Sequence, residues 1–206
     1  LSLPLTANRV LLGLLQGIEA VSIPGCLKLY NHSTSEALST YGVLTGMALP
    51  CILFPSAITN SVSIMLMPTV AELQVKDQAS GIRKLLQKVL GCCFLMGLFC
   101  CLFFLFFGQL IGQFLFASDL AGNFIITLAW ICPFLYVNGS LLSVLNGFGK
   151  TTTSFTINTV GLAIRIGSVF FAIPVFGIQG YLWGLLISQL AVSICCSVVL
   201  KHLISA

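Results

Sequence analysis

The chain has 206 residues, of which 58% are hydrophobic and only 7% are charged, whereas an average soluble domain is about 25% charged. This composition excludes an ordinary soluble globular protein and indicates a polytopic membrane protein. The net charge of +4 comes from nine Lys and Arg residues spread along the chain. They form no basic face that could follow a phosphate backbone, so we expect no nucleic-acid partner.

Six apolar segments are each long enough to cross a hydrocarbon core of about 30 Å, which requires about 20 residues. In chain order they cover residues 4–28, 36–72, 85–116, 121–146, 153–175 and 178–200. The sequence therefore predicts an all-α bundle of six membrane-spanning helices, with membrane lipids as its surroundings.

The first segment carries Arg9 and Glu19 inside an apolar run. On a helix, Arg9 and Gln16 fall within one narrow arc, and Glu19 lies about 80° from Arg9. A charge at the bilayer centre costs about 2.5 kcal/mol or more, so such residues usually face a bundle interior or a hydrated cavity. Two alternatives stay open, because Arg9 is near enough to the helix end to snorkel and Glu19 is equally suited to a structural hydrogen bond.

The second segment is too long for one straight span, since about 36 residues rise about 54 Å along a helix. Pro50 and Pro55 lack a backbone N–H and clash with the preceding turn. We predict one long helix broken at these prolines, in preference to a hairpin of two short spans. A polar face follows the break and consists of Ser56, Thr59, Asn60 and Ser63. These side chains either satisfy the freed carbonyls or face a cavity.

The third segment begins with the amphipathic stretch "ASGIRKLLQKVLG", in which Arg83, Lys84 and Lys88 lie opposite the apolar residues. We expect it to lie along the cytoplasmic membrane surface. Two roles are open for it: an anchor on anionic lipids, or regulation of a substrate.

Basic residues also indicate the topology, because cytoplasmic loops are enriched in them. The connections near 72–88, 147–152 and 201–206 carry Lys or Arg, whereas the connections between them do not. The alternation places these three connections and both ends of the segment in the cytoplasm, and residues 28–36 outside. Lys28 is the exception to the rule.

The fifth segment carries its polar and small residues on one helical face. They are Ser154, Asn158, Gly161, Arg165 and Ser168. Arg165 is about midway along the span, too far from either end to snorkel easily. It either contributes to a hydrated cavity or pairs with a carboxylate such as Glu19 while the small residues admit a neighbouring helix. These two roles can coexist.

No catalytic constellation is present. His32 and His202 lie in predicted loops on opposite sides of the membrane, and the chain has no nucleophile, phosphate-binding or metal-binding motif. Most of the cysteines lie inside apolar runs, where they behave as small hydrophobic residues. We therefore expect neither an enzyme nor a bound metal or cofactor.

Two runs, "LPLTANRVLLGLLQGIEAVSIP" and "EALSTYGVLTGMALPCILFPSAITNSVSIMLMPTVAE", resemble the stage V sporulation protein B family. That family lies within the superfamily of multidrug, oligosaccharidyl-lipid and polysaccharide exporters. The similarity continues through "LNGFGKT" and "GIQGYLWG" and covers essentially the whole chain. It implies one lobe, helices seven to twelve, of a two-lobe exporter in the bacterial cytoplasmic membrane. Because residue 1 is Leu, we also expect the N-terminal lobe to precede this chain in a longer protein.

The resemblance implies an alternating-access flippase that moves undecaprenyl-pyrophosphate-linked sugars, in this branch peptidoglycan precursors for the spore cortex. By analogy with lipid II flippases, Arg9 and Arg165 are expected to receive the pyrophosphate. The other predicted cavity residues are Gln16, Glu19, Asn60 and Asn158. The coupling ion, Na+ or H+, stays open, as does the glycan. A cation-coupled multidrug exporter and a non-transporting scaffold for cell-wall enzymes are the alternatives.

Overall fold

The computed structural model describes the backbone of residues 2–31, 33–75 and 79–205, and the side chains of residues 10–30, 33–74 and 81–203. This part of the chain is almost entirely helical and contains no strand, which confirms the predicted all-α fold. Its helices are α1 (Ser2–Asn31), α2 (Thr34–Val43), α3 (Leu49–Leu53), α4 (Ser56–Val75), α5 (Ala79–Phe116), α6 (Asp119–Ala129), α7 (Cys132–Gly147), α8 (Thr151–Phe171), α9 (Ile173–Phe176) and α10 (Ile178–Ser205).

Five helical stretches within the described ranges are long and apolar enough to cross a membrane, and a sixth is added if the bent pair α6 and α7 forms one span. The five stretches are Val10–Tyr30, Thr34–Leu53, Gly81–Phe116, Thr151–Phe171 and Ile178–Leu203. The protein is therefore a multi-pass membrane protein.

The second predicted helix is broken where the prolines predicted it. A π-helical turn, Leu44–Ala48, comes directly before Pro50, and the Leu49 N–H donates to the Leu44 carbonyl, five residues back. The helix is interrupted again at Phe54 and Pro55, and α4 begins at Ser56. Because neither proline can donate a backbone hydrogen bond, the regular ladder fails at these two points.

The fourth predicted segment, residues 121–146, is a bent pair of helices. The axes of α6 and α7 differ by 54°. Pro133, at the start of α7, cannot donate to the carbonyl four residues earlier. Instead, the Ile131 N–H bonds to the Leu128 carbonyl at 2.9 Å, which closes the tighter turn between the helices.

The amphipathic stretch that we expected along the membrane surface is the first part of α5, a continuous helix of 38 residues. At 1.5 Å per residue this helix is about 57 Å long. Ile82 and Leu86 are each 5% exposed and belong to a buried cluster with residues of α4, α7, α8 and α10. Packing against these helices holds the stretch in line with the rest of α5.

Close helix contacts position the polar interior. At Gly112 a Cβ atom would lie 2.5 Å from the Cα of Gly122, so α5 and α6 cross with their backbones in contact. At Gly161 a Cβ would lie 2.6 Å from the Cγ2 of Val192, so the missing side chain on α8 leaves room for a side chain of α10. Such small residues let membrane helices approach one another.

Candidate functional site

A polar cavity of about 340 Å³ lies between α1, α4, α7, α8 and α10. Its polar lining consists of Gln16, Asn60, Asn138, Asn158, Arg165, Ser188 and Gln189. Four of the six predicted cavity residues are thus brought together from three helices that are far apart in the chain. The role of these four in substrate binding stays a prediction. The side chain of Arg9 lies outside the described residues.

Glu19 forms a buried hydrogen-bonded group with Arg165 and Tyr181. Its Oε1 accepts from Arg165 Nε at 2.9 Å and from the Tyr181 hydroxyl at 2.8 Å. Arg165 Nη2 also lies 3.4 Å from the Tyr181 oxygen. The Glu19 side chain is 3% exposed and the Arg165 side chain 25%. This group connects α1, α8 and α10 and neutralises the buried carboxylate.

Arg165 has both of the surroundings that the sequence analysis left open for it, a carboxylate partner and a polar cavity. Its Nε is bonded to Glu19, and the residue also lines the cavity. A guanidinium has five N–H donors, and its Nη1 donates to no acceptor within the described part of the chain. Arg165 is therefore both an ion-pair partner and a source of uncommitted donors beside the cavity.

The small residues on the same face of α8 pack against α10. The Ser188 hydroxyl donates to the Gly161 carbonyl at 2.8 Å. Ser168 packs against Gly184 and donates its hydroxyl to the Arg165 carbonyl at 2.6 Å. The polar face predicted from the spacing therefore divides into a packing part and a cavity part.

The polar face of α4 divides in the same way. Its hydroxyls satisfy carbonyls near the break, since Ser56 donates to Leu53 at 2.6 Å and Thr59 donates to Ser56 at 2.9 Å. The Tyr136 hydroxyl from α7 donates to the Ile52 carbonyl at 2.9 Å. The next polar residue, Asn60, lines the cavity instead.

The sequence reasoning missed Asn138 and Gln189. The Asn138 Nδ2 donates to the Gln189 carbonyl at 2.9 Å and to its side-chain Oε1 at 2.7 Å. Asn138 is 4% exposed, and its Oδ1 has no hydrogen-bond partner in the described structure. An acceptor left in this way costs about 1–3 kcal/mol unless a donor reaches it. Both residues stand inside apolar runs, which is the signal that had identified Arg165.

The chain is 26% identical over 181 residues to stage V sporulation protein B of Bacillus subtilis (strain 168), an alignment that covers 87% of this chain. The predicted resemblance is confirmed as a similarity to this protein. The chain spans 35% of the length of that relative. No family model matches the chain. No solved structure matches it significantly.

Among the described residues of this chain, no group of three or more His, Cys, Asp or Glu is placed to hold a metal ion. The nine cysteines are all free thiols. His32 lies outside the described residues. Among the described residues, the site offers one guanidinium, one neutralised carboxylate, and several amides and hydroxyls.

Proposed function

We propose that this chain forms one lobe of an alternating-access flippase for undecaprenyl-pyrophosphate-linked sugars in the bacterial cytoplasmic membrane, supplying precursors for the cortex or cell wall. The observation that carries the proposal is Arg165, a cation in the interior of a membrane span that lines a polar cavity with donors to spare. Similarity to stage V sporulation protein B supports it. A second, N-terminal lobe would complete the cavity.

The chemistry of the cavity suits a phosphorylated head group. A guanidinium stays protonated and can meet two phosphate oxygens at once through its planar fork. The bond from Nε to Glu19 holds this fork in one orientation. The amides of Gln16, Asn60 and Asn158 would then face the sugar, while the lipid tail stays in the bilayer.

The interrupted helices suit the conformational change that alternating access requires. Transporters commonly place discontinuous helices beside their binding sites. Here the break at Pro55 is followed within two turns by the cavity residue Asn60. We expect bending at this break to move Asn60 relative to Arg165 as the cavity opens first to one side of the membrane and then to the other.

Flipping of a lipid-linked sugar by the full-length protein in proteoliposomes tests the proposal. Arg165→Gln should lower the rate about tenfold or more, the effect of losing one hydrogen bond to a charged group. Because this variant also leaves Glu19 uncompensated, the decisive variant is Glu19→Gln combined with Arg165→Gln, which removes both charges. If Arg165 binds the substrate, the double variant also stays slow. Recovery of the wild-type rate in the double variant would limit Arg165 to balancing Glu19 and overturn its binding role.

The same preparation separates the alternatives. Lys84→Gln, which removes an exposed charge outside the cavity, is the control and should flip at the wild-type rate. Export of an amphipathic drug that depends on an ion gradient and is lost in Glu19→Gln, without flipping of lipid-linked sugar, would favour the cation-coupled exporter. Absence of any transport by the correctly folded wild type would favour the scaffold.

A further inference from the structure

A second cleft lies where the beginning of α5 meets the end of α10. It encloses about 340 Å³. Six of the residues that line it are Arg83, Leu86, Leu90, Leu141, Leu200 and Lys201. It shares no lining residue with the polar cavity that contains Arg165.

The rim of this basic cleft attracts anions. Arg83 and Lys201 are exposed, and neither forms an ion pair with any residue whose side chain is described. Among the residues whose side chains are described, no acidic residue lines the cleft. Arg83 and Lys201 are 118 positions apart in the chain, and both lie beside one opening that no described carboxylate lines. Repulsion between them is relieved when an anion binds.

The floor of the basic cleft is apolar. Leu86, Leu141 and Leu200 are 5%, 2% and 4% exposed and belong to one buried cluster. A small hydrophilic anion would gain nothing from these walls, whereas an acyl chain would bury apolar surface against them. The cleft therefore favours a ligand with an anionic head and an apolar tail.

The position of the cleft in the bundle fits such a ligand. Lys201 is near the end of α10, a membrane-spanning helix, where lipid head groups are found. Arg83 of α5 lines the same cleft and therefore lies at a similar depth. Basic pockets between membrane helices at this depth are suited to anionic lipid head groups.

We propose that the basic cleft binds an anionic phospholipid, with the phosphate between Arg83 and Lys201 and an acyl chain along Leu86, Leu141 and Leu200. The amphipathic start of α5 is then more than a diffuse electrostatic anchor, because it supplies one side of a defined lipid site. This inference does not depend on the proposed transport function.

Native mass spectrometry of the full-length protein with added phosphatidylglycerol or phosphatidylcholine tests the inference. We expect phosphatidylglycerol to bind more tightly than phosphatidylcholine. Its affinity should fall about 25-fold in the double variant Arg83→Gln, Lys201→Gln, because each basic residue contributes about fivefold. The matched control is Lys84→Gln with Lys150→Gln, which removes the same charge from exposed positions outside the cleft. Equal weakening in both double variants would reduce the effect to net charge and overturn the site.

A variant that keeps every charge provides a second measurement. Ser197 is exposed and lines the cleft, so Ser197→Trp should obstruct it and weaken phosphatidylglycerol binding, while Ser197→Ala should not. Unchanged binding in Ser197→Trp would contradict the proposed position of the lipid. Glycerol 3-phosphate, which has the anion without the tail, should compete poorly. Effective competition by it would show a phosphate site and overturn the assignment to a lipid.

Discussion

Arg165 donates from Nε to the Oε1 of Glu19 at 2.9 Å, and the two residues are 146 positions apart in the chain. Each charge alone is expensive in an apolar span. Paired, and with the Tyr181 hydroxyl as a second donor to the same oxygen, the carboxylate is neutralised and 3% exposed. The pair thus explains how α1 and α8 tolerate charged residues in their interiors, while Arg165 keeps donors on its cavity side.

A double-mutant cycle on this pair should give a large coupling energy. Arg165→Gln leaves a buried carboxylate without its cation, and we expect a loss of about 2–3 kcal/mol in the free energy of unfolding. This loss is smaller than the roughly 3–5 kcal/mol that removing one partner of a fully buried pair costs, because a quarter of the Arg165 side chain is exposed. Adding Glu19→Gln should restore about 1–2 kcal/mol. Reversible unfolding in mixed micelles measures all four proteins, and additive losses would mean that the contact is energetically unimportant.

Tyr136→Phe should destabilise the packing of α7 against the broken part of the second helix. Its hydroxyl donates to the Ile52 carbonyl at 2.9 Å, and Tyr136 is 1% exposed, so the variant leaves a buried acceptor unpaired. We expect a loss of about 1–2 kcal/mol in the free energy of unfolding. Tyr41→Phe is the control, since the Tyr41 hydroxyl has no hydrogen bond to a described residue. Equal effects of the two variants in the same unfolding assay would contradict a specific role for Tyr136.

Substitutions at Asn138 should depend on which of its atoms they remove. Asn138→Asp places a carboxylate oxygen against the two acceptors of Gln189 and introduces a buried charge, so we expect a loss of about 3 kcal/mol or more. Asn138→Leu removes both hydrogen bonds but also the unpaired Oδ1, and should cost only about 1–2 kcal/mol. Thermal unfolding ranks the two variants, with the exposed Asn123→Asp as the control. The reverse order would mean that the Asn138 amide is turned the other way.

Gly112→Ala should separate α5 from α6. The new Cβ would lie 2.5 Å from the Gly122 Cα and 3.0 Å from the Ser118 carbonyl oxygen, so the helices must move apart. Overpacking of this kind costs about 1–3 kcal/mol. Gly91→Ala on the same helix meets nothing within 4 Å and should be neutral or stabilising by up to about 1 kcal/mol. Similar stability of the two variants in the unfolding assay would show that the crossing is loosely packed.

Features that depend on neighbours in the sequence were predicted well. The composition predicted a helical membrane protein, because an apolar helix satisfies its backbone hydrogen bonds within its own segment and can therefore cross the bilayer. Pro50 and Pro55 predicted the break in the second helix, because a missing N–H acts on the turn in which it occurs. The bend between α6 and α7 has the same cause at Pro133, yet an unbroken apolar run concealed it. Hydropathy measures the length of a span and does not measure its direction.

Only the tertiary structure decided which helices face one another. Helical spacing placed Glu19 and Arg165 on their own helices, but pairing them required α1 to lie beside α8. The hydrogen bond between Asn138 and Gln189 likewise joins helices that are distant in the chain. The same is true of the cleft that Arg83 and Lys201 both line. Periodicity sets the angle of a side chain around one axis, whereas packing of small residues and apolar clusters sets how the axes are arranged. The sequence by itself determined the helices and their polar faces, and packing decided which of those faces form the cavity.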